Sequence, residues 1–72
     1  MKKLILQEGM FVVAPNEGTK EQFTKGEKYK VSCVDNLQPT TFHIVDNYGR
    51  WTMCLLNYCS HIKHENWAIL PN

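Results

Sequence analysis

Residues 40–56 read TTFHIVDNYGRWTMCLL, two runs of β-branched and aromatic residues on either side of the DNYG segment at 46–49. Asparagine and glycine tolerate the positive φ angles of a tight hairpin, so the two runs are predicted to pair as strands. The second run is apolar at both odd and even positions, which predicts a central strand. Both strands are expected to face one interior, and the inward side chains are predicted to be Phe42, Ile44, Trp51 and Met53.

Three further strands are predicted from short runs bounded by turn residues. Pro15 ends the first of them, because proline cannot donate a hydrogen bond within a sheet. Alternation in the second places Tyr29, Val31 and Cys33 on one buried face. The polar stretch 57–65 is predicted to contain a 3-10 turn. The five predicted strands are residues 10–14, 28–34, 40–45, 50–56 and 67–70.

The order of these elements predicts an all-β fold made of a single domain, residues 1–72. Five short strands, a long loop at 16–26, a tight hairpin and a turn before the last strand are similar to the order found in SH3-like barrels. The segments FTKGEKYKV (23–31), FHIVDNYG (42–49) and WAIL (67–70) resemble those of small SH3-like proteins encoded by bacteriophages and prophages. This resemblance covers residues 9–70.

The resemblance implies a small five-stranded SH3-like barrel that is partly open, with a 3-10 turn before the last strand. It also implies an accessory protein of the bacterial cytoplasm that binds and modulates a host macromolecule. Binding of proline-rich ligands is not expected, because the long loop offers Phe23 but no tyrosine or tryptophan.

Composition excludes several classes of function. The formal net charge is +1, from eight basic and seven acidic residues, so no global field draws the chain to nucleic acid or to a membrane. The apolar run in MKKLIL is too short for a secretion signal, which predicts a cytoplasmic protein with three free cysteines. Isolated glycines provide no phosphate-binding loop, so no nucleotide cofactor is expected.

The segment 54–64 raises the question of a metal site. Cys54, Cys59, His61 and His64 supply enough thiol and imidazole groups for zinc, although the spacing of the cysteines is not that of a zinc knuckle. The alternative is that Cys33 and Cys54 are small core residues on strands and that His61 and His64 are exposed on a turn. Without a nucleophile motif or a carboxylate pair, the chain is predicted not to be an enzyme and to need no cofactor.

Non-catalytic protein binding is therefore the predicted function, with a host protein as partner. The loops at 16–26 and 35–40 and the aromatic residues near the hairpin are predicted to contact the partner, because surface loops carry most binding residues and exposed aromatic side chains dominate interface energies. The predicted anchors, if exposed, are Phe23, Leu37, Tyr48 and Tyr58. An alternative is a nucleic-acid-binding barrel that stacks bases beside cations, with His43, Arg50, Lys28 and Lys30 as its residues. Self-association through an exposed edge strand is a further alternative.

Overall fold

Two small antiparallel sheets make up the fold in a computed structural model of the chain, which describes residues 6–35, 37 and 40–70. The strands in this part of the chain are β1 (Phe11–Val13), β2 (Lys28–Lys30), β3 (Cys33–Val34), β4 (Thr41–Val45), β5 (Trp51–Leu55) and β6 (Ala68–Leu70). One sheet has the order β2-β1-β6 and the other the order β3-β4-β5. The all-β prediction is confirmed. The described strands number six rather than five, and they do not close into a barrel.

Two 3-10 turns lie between strands, at Thr19–Glu21 and at Ser60–Ile62. The second confirms the turn predicted before the last strand. The first lies within the predicted long loop, residues 16–26. Of the loop predicted at 35–40, Asn36, Gln38 and Pro39 lie outside the described residues.

The predicted second strand is divided between the two sheets. The N–H of Ser32 donates to the His43 carbonyl (2.8 Å), although it is Cys33 that lies opposite His43 in the register. Two residues therefore face one, which is the pattern of a β-bulge. The extra residue reverses the alternation, so Val31 and Val34 face the interior and Cys33 faces outward. The prediction that Cys33 shares the buried face of Val31 is wrong for this reason.

Apolar side chains from both sheets form one core. Phe42 and Ile44 are fully buried, as predicted. The Trp67 ring packs edge-to-face against Phe23, Tyr29 and Phe42, with ring centroids 5.0, 6.1 and 5.9 Å away. Such aromatic pairs add about 0.5–1.5 kcal/mol each beyond the burial of their surface. The core residues are Leu6, Val12, Ala14, Phe23, Val31, Phe42, Ile44, Cys54, Cys59, Ile62 and Trp67.

The Asp46 carboxylate ties the hairpin between β4 and β5 to the long loop. It accepts hydrogen bonds from the backbone N–H groups of Tyr48 and Arg50 and from the Gln22 amide, each at 2.9 Å. The Arg50 guanidinium lies 3.2 Å away. Burial acts to raise the pKa of Asp46, but these donors and the charge of Arg50 outweigh it and lower the pKa from 3.8 to about 2.

Acid is therefore expected to weaken the fold through Asp46. The folded-state pKa lies below the unfolded value, so the stabilisation is fully present above pH 3.8 and is lost as the pH falls through about 2. Because Arg50 is largely exposed, solvent screens its charge, and we expect a contribution of about 1–2 kcal/mol. Urea unfolding at about pH 6 and about pH 2 should show a larger loss for the wild type than for Asp46→Asn. Equal losses would contradict this role of the carboxylate.

Candidate protein-binding surface

The β3-β4-β5 sheet has one face in the core and one face open to solvent. Cross-strand neighbours share a face, and the buried Phe42 pairs with Cys54 and the buried Ile44 with Thr52. The alternate positions of the same strands therefore point away from the core. Thr41 lies at one of these positions but is buried. We call the remaining surface the outer face, and its residues are Cys33, His43, Val45, Trp51, Met53 and Leu55.

Large apolar side chains dominate the outer face. Trp51 is 63% exposed and Met53 is 55% exposed, and Val45 and Leu55 are exposed as well. None of the six outer-face residues is Asp, Glu, Lys or Arg. The prediction that Trp51 and Met53 face the interior is wrong. A contiguous apolar surface of this kind marks an interaction site more often than scattered exposed leucines do.

The length of the hairpin explains why Trp51 and Met53 face outward. Inward placement of Met53 beside Phe42 needs Asp46 to pair with Gly49. Instead, the Asp46 N–H donates to the Arg50 carbonyl (3.0 Å), and Gly49 adopts a φ of +77° inside a three-residue loop. That extra residue shifts the register by one, which moves every side chain of β5 to the opposite face.

The outer face is organised by two contacts around His43. Its ring stacks on Trp51 with centroids 4.5 Å apart and an interplanar angle of 23°. Its Nδ1 atom lies 3.2 Å from the sulfur of Cys33 on the neighbouring strand. His43 is half-buried between these two partners. The face is therefore an ordered surface, since its central side chain is held on both sides.

β5 is an edge strand, because among the described strands it pairs only with β4. The prediction of a central strand is wrong. Since the Asp46 N–H bonds to Arg50, the even-numbered residues of β5 bond to β4. The backbone groups of Trp51 and Met53 then point to the open edge. Edge strands are commonly guarded by charged residues or proline, and residues 51–55 contain neither.

The four predicted anchors have different environments. Phe23 is 1% exposed and belongs to the core, so its side chain is not accessible to a binding partner. Leu37, at 92%, and Tyr58, at 70%, are exposed. Tyr48 is exposed as well, but its hydroxyl donates to the Lys20 carbonyl (2.6 Å) and links the hairpin to the long loop. These three residues lie in three different connections between strands.

The residues of the nucleic-acid alternative are divided between the two sheets. His43 lies on β4, whereas Lys28 and Lys30 lie on β2 of the other sheet. The Arg50 guanidinium pairs with Asp46 and lies over the Tyr48 ring, 5.1 Å from its centroid. The four residues predicted for base stacking and phosphate contact therefore do not share one sheet.

The predicted zinc ligands are not assembled into a site. Cys54 and Cys59 are both buried in the core, whereas His64 is exposed and packs against the Tyr58 ring, 4.8 Å between centroids. Within the described part of the chain, no three side chains of His, Cys, Asp and Glu come together to hold a metal ion. A hydrogen bond to Cys59 and burial raise the pKa of Cys54, which keeps it a protonated core thiol.

No protein-family model, curated protein or solved structure matches the chain. None of the helical segments in residues 6–35, 37 and 40–70 is long and apolar enough to cross a membrane. Any functional assignment therefore depends on the surface itself. Sequence reasoning missed the outer face, because the face depends on the number of residues in the hairpin loop and the DNYG segment is compatible with either two or three.

Proposed function

We propose that this protein is a non-catalytic protein-binding module and that its contact surface is the outer face. The observation that carries the proposal is the group of four exposed apolar side chains on one side of an ordered sheet: Val45, Trp51, Met53 and Leu55. Burying a large apolar side chain contributes about 1.5–3 kcal/mol. Aromatic residues and methionine are also enriched at protein interfaces, where a few such anchors carry most of the binding energy.

The partner expected from the resemblance in the sequence is a host macromolecule in the bacterial cytoplasm, bound by a phage or prophage accessory protein. We also propose that the two sheets correspond to an SH3-like barrel that is partly open. Two features support that assignment: the chain passes from one sheet to the other at the bulge between β2 and β3, and a 3-10 turn precedes β6.

The apolar surface is expected to be essential for partner capture. A double variant in which both Trp51 and Met53 are changed to threonine loses the apolar area but keeps residues that favour strands. We expect the double variant to lose capture of any partner from a bacterial lysate. Its free energy of unfolding should stay within about 1 kcal/mol of wild type, because both side chains are exposed.

Leu37→Thr is the matched control, since Leu37 is more exposed than either residue and lies outside the outer face. The Leu37→Thr variant should capture as much of the partner as the wild type does. If Leu37→Thr or Tyr58→Ser abolishes capture while the double variant retains it, then the loops bind the partner and the outer face does not.

One observation also favours the nucleic-acid alternative. Trp51 offers an exposed ring stacked on His43, and Arg50 lies next to it in the chain. Bases stack on such rings. Nuclease treatment of the lysate separates the two functions: a captured protein partner survives the treatment, whereas loss of the captured material assigns the surface to nucleic acid.

Self-association through β5 is the second alternative within protein binding. Among the described strands, only β4 pairs with β5, and the backbone groups of Trp51 and Met53 point to the open edge. Sedimentation over a hundredfold range of concentration distinguishes this mode. If the protein is a monomer at every concentration, self-association is excluded and the edge of β5 remains available to a different protein.

A further inference from the structure

Three side chains that can bind a metal ion lie in one row across the outer face. Cys33 on β3 is directly opposite His43 on β4, and His43 is directly opposite Met53 on β5. Directly opposite residues on one face have Cβ atoms about 4.5–5.5 Å apart. A thiol, an imidazole and a thioether are therefore neighbours on three adjacent strands. This grouping is separate from the buried cysteines of the segment 54–64.

The first two donors are already close to the separation that a shared metal requires. The Cys33 sulfur and His43 Nδ1 are 3.2 Å apart. Metal bonds of about 2.3 Å to sulfur and about 2.0 Å to nitrogen, opened by about 110°, place the two atoms about 3.5 Å apart. The Cys33 sulfur and His43 Nδ1 need to move apart by only about 0.3 Å to bind one metal ion.

The surroundings hold the pair in position. The bulge at Ser32 turns Cys33 to the outer face, where it meets His43 instead of entering the core. Stacking on Trp51 fixes the plane of the His43 ring. Met53 has three rotatable side-chain bonds, so its sulfur can turn toward the pair from the third strand. Strand geometry and ring packing therefore hold Cys33 and His43 in place, and Met53 lies directly opposite His43, where rotation of its side chain can bring the sulfur toward them.

We propose that Cys33, His43 and Met53 form a binding site for a single Cu(I) ion. Thiolate and thioether sulfur are soft ligands that select Cu(I), whereas Mg²⁺ and Ca²⁺ require oxygen ligands. Zinc favours four ligands and does not favour a thioether. On binding, the Cys33 S–H bond breaks, a sulfur–copper bond forms and one proton leaves to solvent, with no change in oxidation state. The site goes beyond the proposed function and does not depend on it.

The site can be tested by titrating the purified protein with Cu(I) under anaerobic conditions, in competition with a chromogenic Cu(I) chelator. We expect one equivalent to bind and Cys33→Ala to abolish this binding. Met53→Leu keeps the apolar surface but removes the thioether, and should weaken binding at least tenfold. Trp51 emission should be quenched on binding, and the Trp51→Phe variant should lose that signal while the core residue Trp67 remains.

Leu55→Ala is the control, because it alters the outer face outside the row and should bind Cu(I) as the wild type does. Two results would overturn the site. Unchanged affinity in Cys33→Ala would assign the copper to the buried pair Cys54 and Cys59. Unchanged affinity in both Met53→Leu and His43→Leu would show that Cys33 is a lone thiol and that its contact with His43 is only a hydrogen bond.

Discussion

Replacing Phe23 with alanine is expected to lower the free energy of unfolding by about 3–5 kcal/mol. The ring is 1% exposed and packs edge-to-face against Tyr29 (5.3 Å) and Trp67 (5.0 Å). Its removal leaves a cavity where the long loop meets the core. A domain of this size has only a few kcal/mol of net stability, so much of the variant should be unfolded at 25 °C. Denaturant unfolding followed by circular dichroism measures the loss.

Phe23→Leu is the matched variant, because it keeps most of the apolar volume and loses the aromatic contacts. It should lose less than Phe23→Ala. If Phe23→Ala instead remained as stable as the wild type and lost only partner capture, Phe23 would be the binding anchor that the sequence predicts and its position in the core would be wrong.

Replacing Gly18 with alanine is expected to destabilise the protein by about 2–5 kcal/mol. Gly18 has φ +69° and ψ −164°, a region of backbone conformation that is essentially restricted to glycine. A Cβ atom there would also overlap the backbone carbonyl oxygen of His61 and crowd the Phe23 ring (3.3 Å). The long loop would have to separate from the second 3-10 turn. Thermal unfolding of the purified variant measures this effect.

Gly26→Ala separates the two causes. Gly26 also has a positive φ, +84°, but an added Cβ meets nothing within 4 Å. The cost at Gly26 should be about 1–2 kcal/mol, from backbone strain alone. Equal losses in the two variants would mean that the contact between Gly18 and His61 does not contribute.

The interior of β4 could be predicted from the sequence because local pattern and tertiary packing agree there. Phe42 and Ile44 alternate with the half-buried His43 and the exposed Val45, so the two large apolar residues share one face that suits a core. The hairpin after β4 is marked by asparagine and glycine at 47 and 49, so the pairing of β4 with β5 was also predictable. The 3-10 turn at Ser60–Ile62 followed from the length and polarity of its segment.

The face of β5 could not be predicted from alternation, because both of its faces carry apolar residues. Thr52 and Cys54 face inward, and Trp51 and Met53 face outward. The choice depends on whether the hairpin loop has two or three residues, which local composition leaves open. The same limit applies at Cys33, where one extra residue in the bulge reverses the pattern. The candidate surface lies at these two positions, which is why sequence reasoning placed the binding residues in loops.

The segment 54–64 shows a different limit. Density of cysteine and histidine says which ligands are available but not where the backbone directs them. Alternation along β5 places Cys54 in the core, and Cys59 is buried there as well. Lys63 and His64 both have positive φ angles, and the His64 side chain remains at the surface. The row formed by Cys33, His43 and Met53 is spread over twenty-one positions of sequence, so only strand pairing brings it together.

The three-residue hairpin has a consequence for how such proteins diverge. Both faces of β5 carry apolar residues, so deleting one residue between Asp46 and Arg50 would leave a strand that still has an apolar face to bury. Trp51 and Met53 would then be buried and Cys54 exposed. Loss of a single codon from this loop would therefore exchange the exposed and buried faces of β5, without any substitution in the strand. Lineages related to this chain should be compared by hairpin length before their surface residues are compared.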